Sequence, residues 1–253
     1  MCISKLNFYF PNTQLTESDL KILEDEIVSY TRYWLKLNNS STRAFFFLPR
    51  YKGGLGIVNP KIAYYAKHLQ FHLAVLNSDD AAVRAAARES LTLHMTKRKA
   101  NVSCDENNFA GYETSGNKII KNSKVYWPRS NWVHLFEMCY REDIKLHKTS
   151  DDSYEYIHNL IIDGKVTPVH CEHPKAFYTT YKEAKLQRME MEFKTLSSQG
   201  RICREAADDA DMRLSSTYLL NHKLSDDIQS FVARGRLQLL QCNSLMHVYY
   251  GTG

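Results

Sequence analysis

A twenty-residue stretch from Ser41 to Pro60 constrains the fold of this chain more than any other segment. It reads STRAFFFLPRYKGGLGIVNP and joins an aromatic run, three cations and a Gly-Gly-Leu-Gly sequence to an Asn-Pro helix start. Helical patterns lie on both sides of it, and glycine adopts left-handed backbone conformations at little steric cost. The stretch therefore predicts a sharp turn, entered through a strand-like aromatic segment, between two helices.

The flanking segments carry apolar residues at the alternating three- and four-residue spacing of amphipathic helices. A capping signal at residues 16–19 precedes the first helix, Asn59 and Pro60 begin the second, and residues 77–80 cap the third. The predicted apolar stripes are Leu20, Leu23, Ile27, Tyr30, Trp34 and Leu37, then Ile62, Tyr65, Leu69, Leu73 and Leu76, then Val83, Ala87 and Leu91. Three helices with short connections predict a compact bundle over residues 1–100.

The rest of the chain is also predicted to be helical, after an aperiodic loop or linker at residues 101–125. The elements expected in residues 126–253 are a helix from near Ser130 with Trp132, Leu135, Phe136 and Cys139 on one side, a short helix at 150–160, a hairpin or turn at 161–166, a long helix at 174–196, and a last helix capped by residues 225–227 with Ile228, Phe231, Val232, Leu237 and Leu240. The fold class is therefore expected to be mostly α, a three-helix bundle followed by a helical linker domain.

Positive charge is concentrated in the first 100 residues. They contain 14 Lys and Arg against 8 Asp and Glu, whereas the whole chain contains 33 against 28. This excess favours a surface that faces a polyanion, although an excess of this size is also typical of an ordinary solvated face. The candidate phosphate contacts are Arg43, Arg50 and Lys52 beside the glycines, and Lys97, Arg98 and Lys99 at the end of the third helix. For the last three, complementing the helix dipole is the alternative role.

The Gly-Gly-Leu-Gly sequence leaves two interpretations open. It matches neither G-x-x-x-x-G-K-[ST] nor a G-x-G-x-x-G between strand and helix, so a nucleotide loop is not indicated. Gly53, Gly54 and Gly56 either shape a turn that needs positive φ or bring the backbone close to a nucleic-acid phosphate near a helix N-terminus.

No catalytic centre, metal or cofactor is expected in this chain alone. Residues 170–173 (His-Cys-Glu-His) place four ligands side by side without a second pair at zinc-site spacing, which favours a polar loop. Asp-Asp pairs at 79–80, 151–152, 208–209 and 226–227 lack the apolar strand context of a two-metal polymerase site. A further hypothesis, that the chain itself polymerises or cleaves DNA, therefore has no carboxylate cluster behind it.

The compartment is predicted from the cysteines and from the lack of targeting signals. Six cysteines are scattered without a C-x-x-C pair. Neither a signal peptide nor an apolar run of about eighteen residues is recognisable. We expect an intracellular protein with free thiols and no membrane partner.

Residues 20–57 resemble a segment of one family, the reverse transcriptases of site-specific non-LTR retrotransposons that carry a restriction-like endonuclease. The family pattern has a helix with a Leu-x-x-(Leu)-Asp start, an Arg-x-x-Leu end and a Leu-Pro-x-Ser-Thr stop, followed by an aromatic-Pro-Arg segment and Gly-Gly-Leu-Gly. Asn38 stands where the family usually has the proline. The matching residues are Leu23 with Asp25, Arg32 with Leu35 and Leu37, and the ranges 38–42, 47–50 and 53–57.

A second match, in residues 199–201, 219–226 and 231–243, is similar to the linker of the same family. The resemblance implies a fragment of an RNA-directed DNA polymerase, with the palm lying before Met1 and the Cys/His knuckle and endonuclease after Gly253. It implies that a thumb at residues 1–100 grips the backbone of an RNA, DNA or RNA–DNA hybrid template–primer in the nucleus. The linker, with Arg234 and Arg236, would contact element RNA or target DNA.

A different class of function is the alternative. A truncated retroelement product without selected function, or a helical protein-interaction scaffold, would expose apolar surface that other domains once covered. Exposed Leu, Phe and Trp on the first and last helices would favour this alternative and would predict self-association.

Overall fold

The computed structural model describes residues 9–97, 131–149, 153–162, 165–197, 199 and 223–237. Within these residues the chain is mostly helical and contains one small antiparallel sheet. Single 3-10 turns lie at Phe10–Asn12 and Arg50–Lys52. The helices are α1 (Glu17–Trp34), α2 (Arg43–Phe47), α3 (Pro60–Leu76), α4 (Ala81–Lys97), α5 (Asn131–Arg141), α6 (Pro174–Thr195) and α7 (Asp226–Arg236), and the strands are β1 (Ile144–Lys148), β2 (Tyr154–Ile162) and β3 (Lys165–Cys171).

The contacts within the chain divide it into two units, each assembled from two separate stretches of sequence. The first unit comprises residues 1–15 and 62–184, and the second comprises residues 16–61 and 185–253. Helix α1 therefore belongs to the second unit and α4 to the first, which differs from the consecutive three-helix bundle expected over residues 1–100. The loop or linker predicted at 101–125 lies outside the described residues.

The aromatic run of the Ser41–Pro60 stretch lies at the centre of the second unit. Phe45, Phe46, Phe47 and Leu48 are all buried. Burying side chains of this size contributes roughly 1.5–3 kcal/mol each, so these four residues make a large contribution to the packing of the unit. The same core cluster contains Val28, Leu35, Leu37, Leu55, Phe193, Ala233 and Leu237.

The aromatic run is helical, and the strand-like segment predicted from the sequence is wrong. The amide of Leu48 donates to the carbonyl of Ala44 at 2.9 Å, which closes one α-helical turn, α2. Leu48 itself is extended, with φ −61° and ψ 142°. Three consecutive aromatic side chains project from one helical turn in different directions, and each direction meets core in this unit.

Helix α1 begins as predicted, but two residues of its predicted stripe are exposed. Thr16 and Asp19 form a complete capping box. Leu20 and Leu37 are buried as predicted, whereas Tyr30 is 72% exposed and Trp34 is 51% exposed, and Val28 and Leu35 are buried instead. The apolar β-branched and aliphatic positions, rather than the larger aromatic ones, turn toward the core.

The end of α1 is a Schellman motif that contains no glycine. Lys36 adopts φ 49°, the amide of Leu37 donates to the carbonyl of Arg32 at 2.9 Å, and the amide of Lys36 donates to Tyr33 at 3.2 Å. Such a motif usually carries glycine at the left-handed position. The helix therefore ends before the predicted stop at residues 38–41.

Helices α3 and α4 begin where the sequence predicts. Helix α3 starts at Pro60 and is buried on nearly every side in the first unit, including Tyr64, Tyr65, Leu69 and Leu73. The Asp80 carboxylate accepts from the amide of Ala82 at 2.8 Å and caps α4. Leu91 of the predicted α4 stripe is buried, but Val83 is exposed.

The short helix predicted at residues 150–160 is wrong, because Tyr154–Ile162 is the central strand of the sheet. β1, β2 and β3 lie in that order and pair antiparallel, with Leu146 opposite Tyr156 and Tyr156 opposite Cys171. β2 and β3 form the hairpin that the sequence predicted near residues 161–166. Only the first three residues of β2, Tyr154, Glu155 and Tyr156, alternate aromatic and polar side chains, so the period-two pattern of a strand is short here.

Helices α5, α6 and α7 follow their predicted positions. In α5, Trp132, Leu135, Phe136 and Cys139 are buried, as predicted. Helix α7 is capped by Ser225, whose hydroxyl accepts from the amide of Ile228. Leu237, directly after α7, is buried as predicted, but Ile228 and Phe231 are exposed while Ser230 and Ala233 are buried. Leu240 of the predicted stripe lies outside the described residues. Cys139 and Cys171 carry free, buried thiols.

Candidate nucleic-acid interface

The glycines around residue 54 shape a tight turn for two separate reasons. Gly53 has φ 87° and Gly56 has φ 74°, a region that other residues adopt only with strain. Gly54 is required by space, because a Cβ there would lie 2.1 Å from the carbonyl oxygen of Leu48. The turn packs directly against the residue that ends the aromatic helix.

The amide groups of this turn are occupied within the chain. The amides of residues 53–57 donate in turn to the carbonyls of Arg50, Pro49, Phe45, Leu48 and Phe46 at 2.8–3.1 Å. A phosphate-binding loop needs amides that point outward and are unpaired in the free protein. The sequence left open whether the glycines shape a turn or bring the backbone close to a phosphate. The geometry favours the turn, so any phosphate contact here must come from side chains.

Lys52 follows Tyr51 on the turn and forms an ion pair with a residue far away in sequence. Its Nζ lies 2.6 Å from Oε2 of Glu190 on α6, and Lys194 binds the other oxygen of Glu190 at 2.8 Å. Burial acts to raise the pKa of the Glu190 carboxyl, but hydrogen bonds from Lys194 and Lys52 outweigh burial and hold this pKa below its usual value. Glu190 is therefore ionised at neutral pH, and the three groups together carry one net positive charge.

Arg43 and Arg50 are also bound within the second unit. The Arg43 guanidinium pairs with Asp25 and lies 3.6 Å from Glu24, both on α1. Nε of Arg50 donates to the carbonyl of Leu55 at 3.3 Å. The side chain of Arg43 is 48% exposed, so its guanidinium is accessible to anions that compete with the two carboxylates.

The remaining predicted cations lie elsewhere. Lys97 is the last residue of α4, and Arg98 and Lys99 lie outside the described residues. Arg234 and Arg236 are half-buried in the last turn of α7. The structure thus places Arg43, Arg50, Lys52, Arg234 and Arg236 in the second unit and Lys97 in the first.

Arg32 stabilises the loop after α1 through contacts that the sequence did not predict. Its guanidinium donates to the hydroxyl of Ser41 at 2.9 Å and to the carbonyl of Ser41 at 2.6 Å, and lies 5.6 Å from the ring centroid of Phe46. Burial lowers the pKa of Arg32, and the nearby Arg43 charge lowers it further. The Arg32 in the family pattern therefore holds the loop after α1 in place.

Gln199 joins the two sequence matches, which are separated by about 150 residues. Its side-chain oxygen accepts from the amide of Thr42 at 2.7 Å, and its Nε2 donates to the carbonyl of Ser40 at 2.6 Å. The Ser230 hydroxyl of α7 donates to the carbonyl of Leu35. The sequence showed the order of the two matched segments along the chain but did not indicate that they contact each other.

The structure describes some of the residues that the sequence analysis considered as metal ligands. His170 lies at the end of β3 and its Nδ1 is 3.1 Å from Oε1 of Glu155, an oxygen that Nδ1 of His147 also approaches at 3.2 Å. Across the described part of the chain, no group of three or more His, Cys, Asp or Glu side chains could hold a metal ion. The pair at 208–209 lies outside the described residues. None of the described helices is both long and apolar enough to span a membrane.

Comparison with known proteins identifies no relative of this chain. No protein-family model, curated protein or solved structure matches the chain significantly.

Proposed function

We propose that this chain is the thumb and linker segment of a non-LTR retrotransposon reverse transcriptase. In this proposal it binds the sugar-phosphate backbone of an RNA–DNA template–primer in the nucleus without catalysing synthesis. The observation that carries the proposal is the meeting of the two sequence matches in the second unit. Gln199 of the second match bonds to Ser40 and Thr42 of the first, and Ala233 and Leu237 share the core of Phe47 and Leu55.

The binding side chains in this proposal are Arg43, Arg50 and Lys52, with Arg234 and Arg236 on the linker. Exposed ion pairs contribute only about 0–1 kcal/mol, so a phosphate exchanges with the carboxylates of Arg43 at little cost. Lys52 is better shielded, with its side chain 22% exposed, and its exchange with Glu190 is the more demanding step. Backbone contacts of this kind bind without sequence preference and weaken steeply with salt.

The proposed interface is tested by substituting Lys52 and Glu190 singly and together. Lys52→Glu should weaken binding of an RNA–DNA hybrid and reduce the slope of log K against log salt by about one. Glu190→Gln should tighten binding, because it leaves Lys52 without its 2.6 Å carboxylate partner. The double variant K52E/E190K restores an ion pair of reversed polarity.

The double variant separates a phosphate contact from a structural role. If Lys52 contacts phosphate, K52E/E190K folds normally but still binds the hybrid weakly. Wild-type affinity in that variant, or unchanged affinity in R50E and K52E, would refute the proposed interface. A primer-extension product from the isolated chain would refute the absence of catalysis.

A second candidate function is self-association through the second unit. Tyr33 is 87% exposed, Trp34 51% and Phe231 57%, and Ile228 is exposed on the same helix as Phe231. Large apolar side chains exposed on two helices of one unit are typical of an interaction surface. Light scattering across a concentration series should show a dimer or larger species that the variant W34S/F231S loses, while the control Tyr51→Ser keeps it. A monomer at all concentrations would exclude this function.

A further inference from the structure

The first unit contains an open cleft with a volume of about 900 Å³. It is formed by the 3-10 turn near the N-terminus, the exposed side of α3, and the start of α6. The volume is in the range of cavities that hold small ligands, about 300–1,000 Å³. The residues that line the cleft are Pro11, Asn12, Lys67, Gln70, Phe71, Ala74, His173, Pro174, Lys175 and Ala176.

The cleft is positively charged. Lys67 and Lys175 line it, and none of these ten lining residues is acidic. Nζ of Lys67 lies 4.5 Å from the ring centroid of Tyr178 and donates to Oε1 of Gln70 at 3.1 Å. These two contacts fix the ammonium group at the wall of the cleft, and an ammonium has three donors, so it retains capacity to bind an anion.

The same cleft has an apolar wall and neutral amides. Phe71, Ala74 and Pro11 offer a surface for a flat apolar group, and aromatic rings stack favourably with nucleobases, by about 1–3 kcal/mol per base. Asn12 and Gln70 carry side-chain amides that both donate and accept hydrogen bonds. A ligand that matches all three features has an anionic group, a flat ring and polar ring edges.

We propose that this cleft binds a nucleoside phosphate, with the phosphate held by Lys67 and Lys175 and the base stacked on Phe71. The source of the ligand is either a free nucleotide or one unpaired nucleotide of a single strand. The site uses only residues of the first unit, so it does not rest on the duplex binding proposed for Arg43, Arg50 and Lys52.

The first measurement is calorimetric titration of the full chain with ribonucleoside monophosphates. The unphosphorylated nucleosides and inorganic phosphate are the matched probes, because each lacks one of the two features. Monophosphates should bind at least about tenfold more tightly than either probe, since hydrogen bonds to charged groups contribute about 1.5–3 kcal/mol. Equal affinity for nucleoside and monophosphate would refute the role of the lysines, and no binding by any monophosphate would refute the site.

The variants are chosen so that folding is retained. Ala176→Glu places a carboxylate in the cleft and in the first turn of α6, where negative charge favours the helix, so this variant is expected to fold. This variant and K67A/K175A should each weaken monophosphate binding about tenfold or more. Lys182→Ala, an exposed lysine of α6 that does not line the cleft, is the control and should bind normally.

Short oligonucleotides distinguish the two sources. Four-nucleotide RNA that binds more tightly than any monophosphate, and loses this advantage in A176E, identifies an unpaired strand as the ligand. Monophosphate binding that exceeds oligonucleotide binding identifies the free nucleotide. Wild-type affinity of A176E for every probe would overturn the proposal, whatever the effect of Lys52→Glu on duplex binding.

Discussion

Two buried histidines of α3 should make the first unit sensitive to acid. His68 and His72 are 0% and 2% exposed, with ring centroids 4.5 Å apart. Nδ1 of His72 donates to the carbonyl of His68 at 2.8 Å, and Nδ1 of His68 lies 3.5 Å from the carbonyl of Phe10. His134 of α5 and Tyr64 are the titratable groups that lie against this pair.

Burial keeps both imidazoles neutral in the folded chain. Burial, together with the neighbouring His72 and His134, lowers the pKa of His68 to about 3. Burial also lowers the pKa of His72 to about 4, against a smaller raising effect of its hydrogen bond to the carbonyl of His68. In the unfolded chain each imidazole takes up a proton near pH 6.5.

The sign of the pH effect follows from these values. Below pH 6.5 the unfolded chain binds more protons than the folded chain, so stability falls as the pH falls, down to the folded pKa values of about 3 and 4. At pH 5, which is about 1.5 units below the unfolded pKa, each histidine costs about 2 kcal/mol. The two together should lower the opening free energy of the first unit by about 4 kcal/mol relative to pH 7.5.

Hydrogen exchange of the amides in α3 measures this free energy for the first unit alone. After correction for intrinsic exchange rates, opening at pH 5 should be about 4 kcal/mol easier than at pH 7.5 in the wild type. The variant H68Q/H72Q does not titrate, so its opening free energy should change far less between these pH values. An equal change in wild type and variant would refute the assignment of acid sensitivity to these two histidines.

Three further substitutions test how the turn and the sheet are held. Gly54→Ala should destabilise the second unit by about 3 kcal/mol or more in urea unfolding, because the new Cβ would overlap the Leu48 carbonyl; a neutral result would contradict the close approach. Asn77→Ala removes two hydrogen bonds to the backbone of Tyr154, at 2.6 and 2.8 Å, and should cost about 2–4 kcal/mol, with exchange rising first in β2. Lys36→Gly should stabilise the second unit by up to about 1 kcal/mol in thermal unfolding, since Lys36 holds φ 49°; a loss would mean that its ion pair with Asp227 outweighs the strain.

Long periodic helices were predictable because their signals are local. The caps at Thr16, Asp80 and Ser225 satisfy orphan amides within one turn, and Pro60 begins α3 with a residue that has no amide to satisfy. The end of α1 was not predictable in this way. A lysine occupies the left-handed position at residue 36, and nothing in its identity distinguishes that position from an ordinary helical one.

Which side of a helix is buried was harder to predict than the helix itself. Trp34 and Phe231 were assigned to buried stripes because they are large and apolar, yet the smaller Val28 and Ala233 face the core. The strand at Tyr154–Ile162 was missed because only its first three residues alternate aromatic and polar side chains, too short a run to distinguish a strand from a helix. The segment forms a strand and not a helix because it pairs with β1 and β3.

The candidate site was predictable only as a set of residue types. The sequence indicated cations around a glycine turn, but it could not indicate that Glu190 and Asp25 would neutralise Lys52 and Arg43. Such partners come from α6 and α1, and long-range pairing leaves no local pattern. The amides of the turn are different, because their acceptors are all residues between 45 and 50, only 3 to 11 positions away along the chain.

This arrangement also determines what the family resemblance can support. Of the matched residues, Leu35, Leu37, Phe47 and Leu55 form the core of the second unit, and Gly54 closes the turn against Leu48. Positions of this kind specify how a chain folds, and one fold serves many functions. These matched residues therefore concern how the second unit folds and not what it binds. The proposed nucleic-acid binding depends instead on whether phosphate displaces Glu190 from Lys52, which is the step that the reversed pair K52E/E190K isolates.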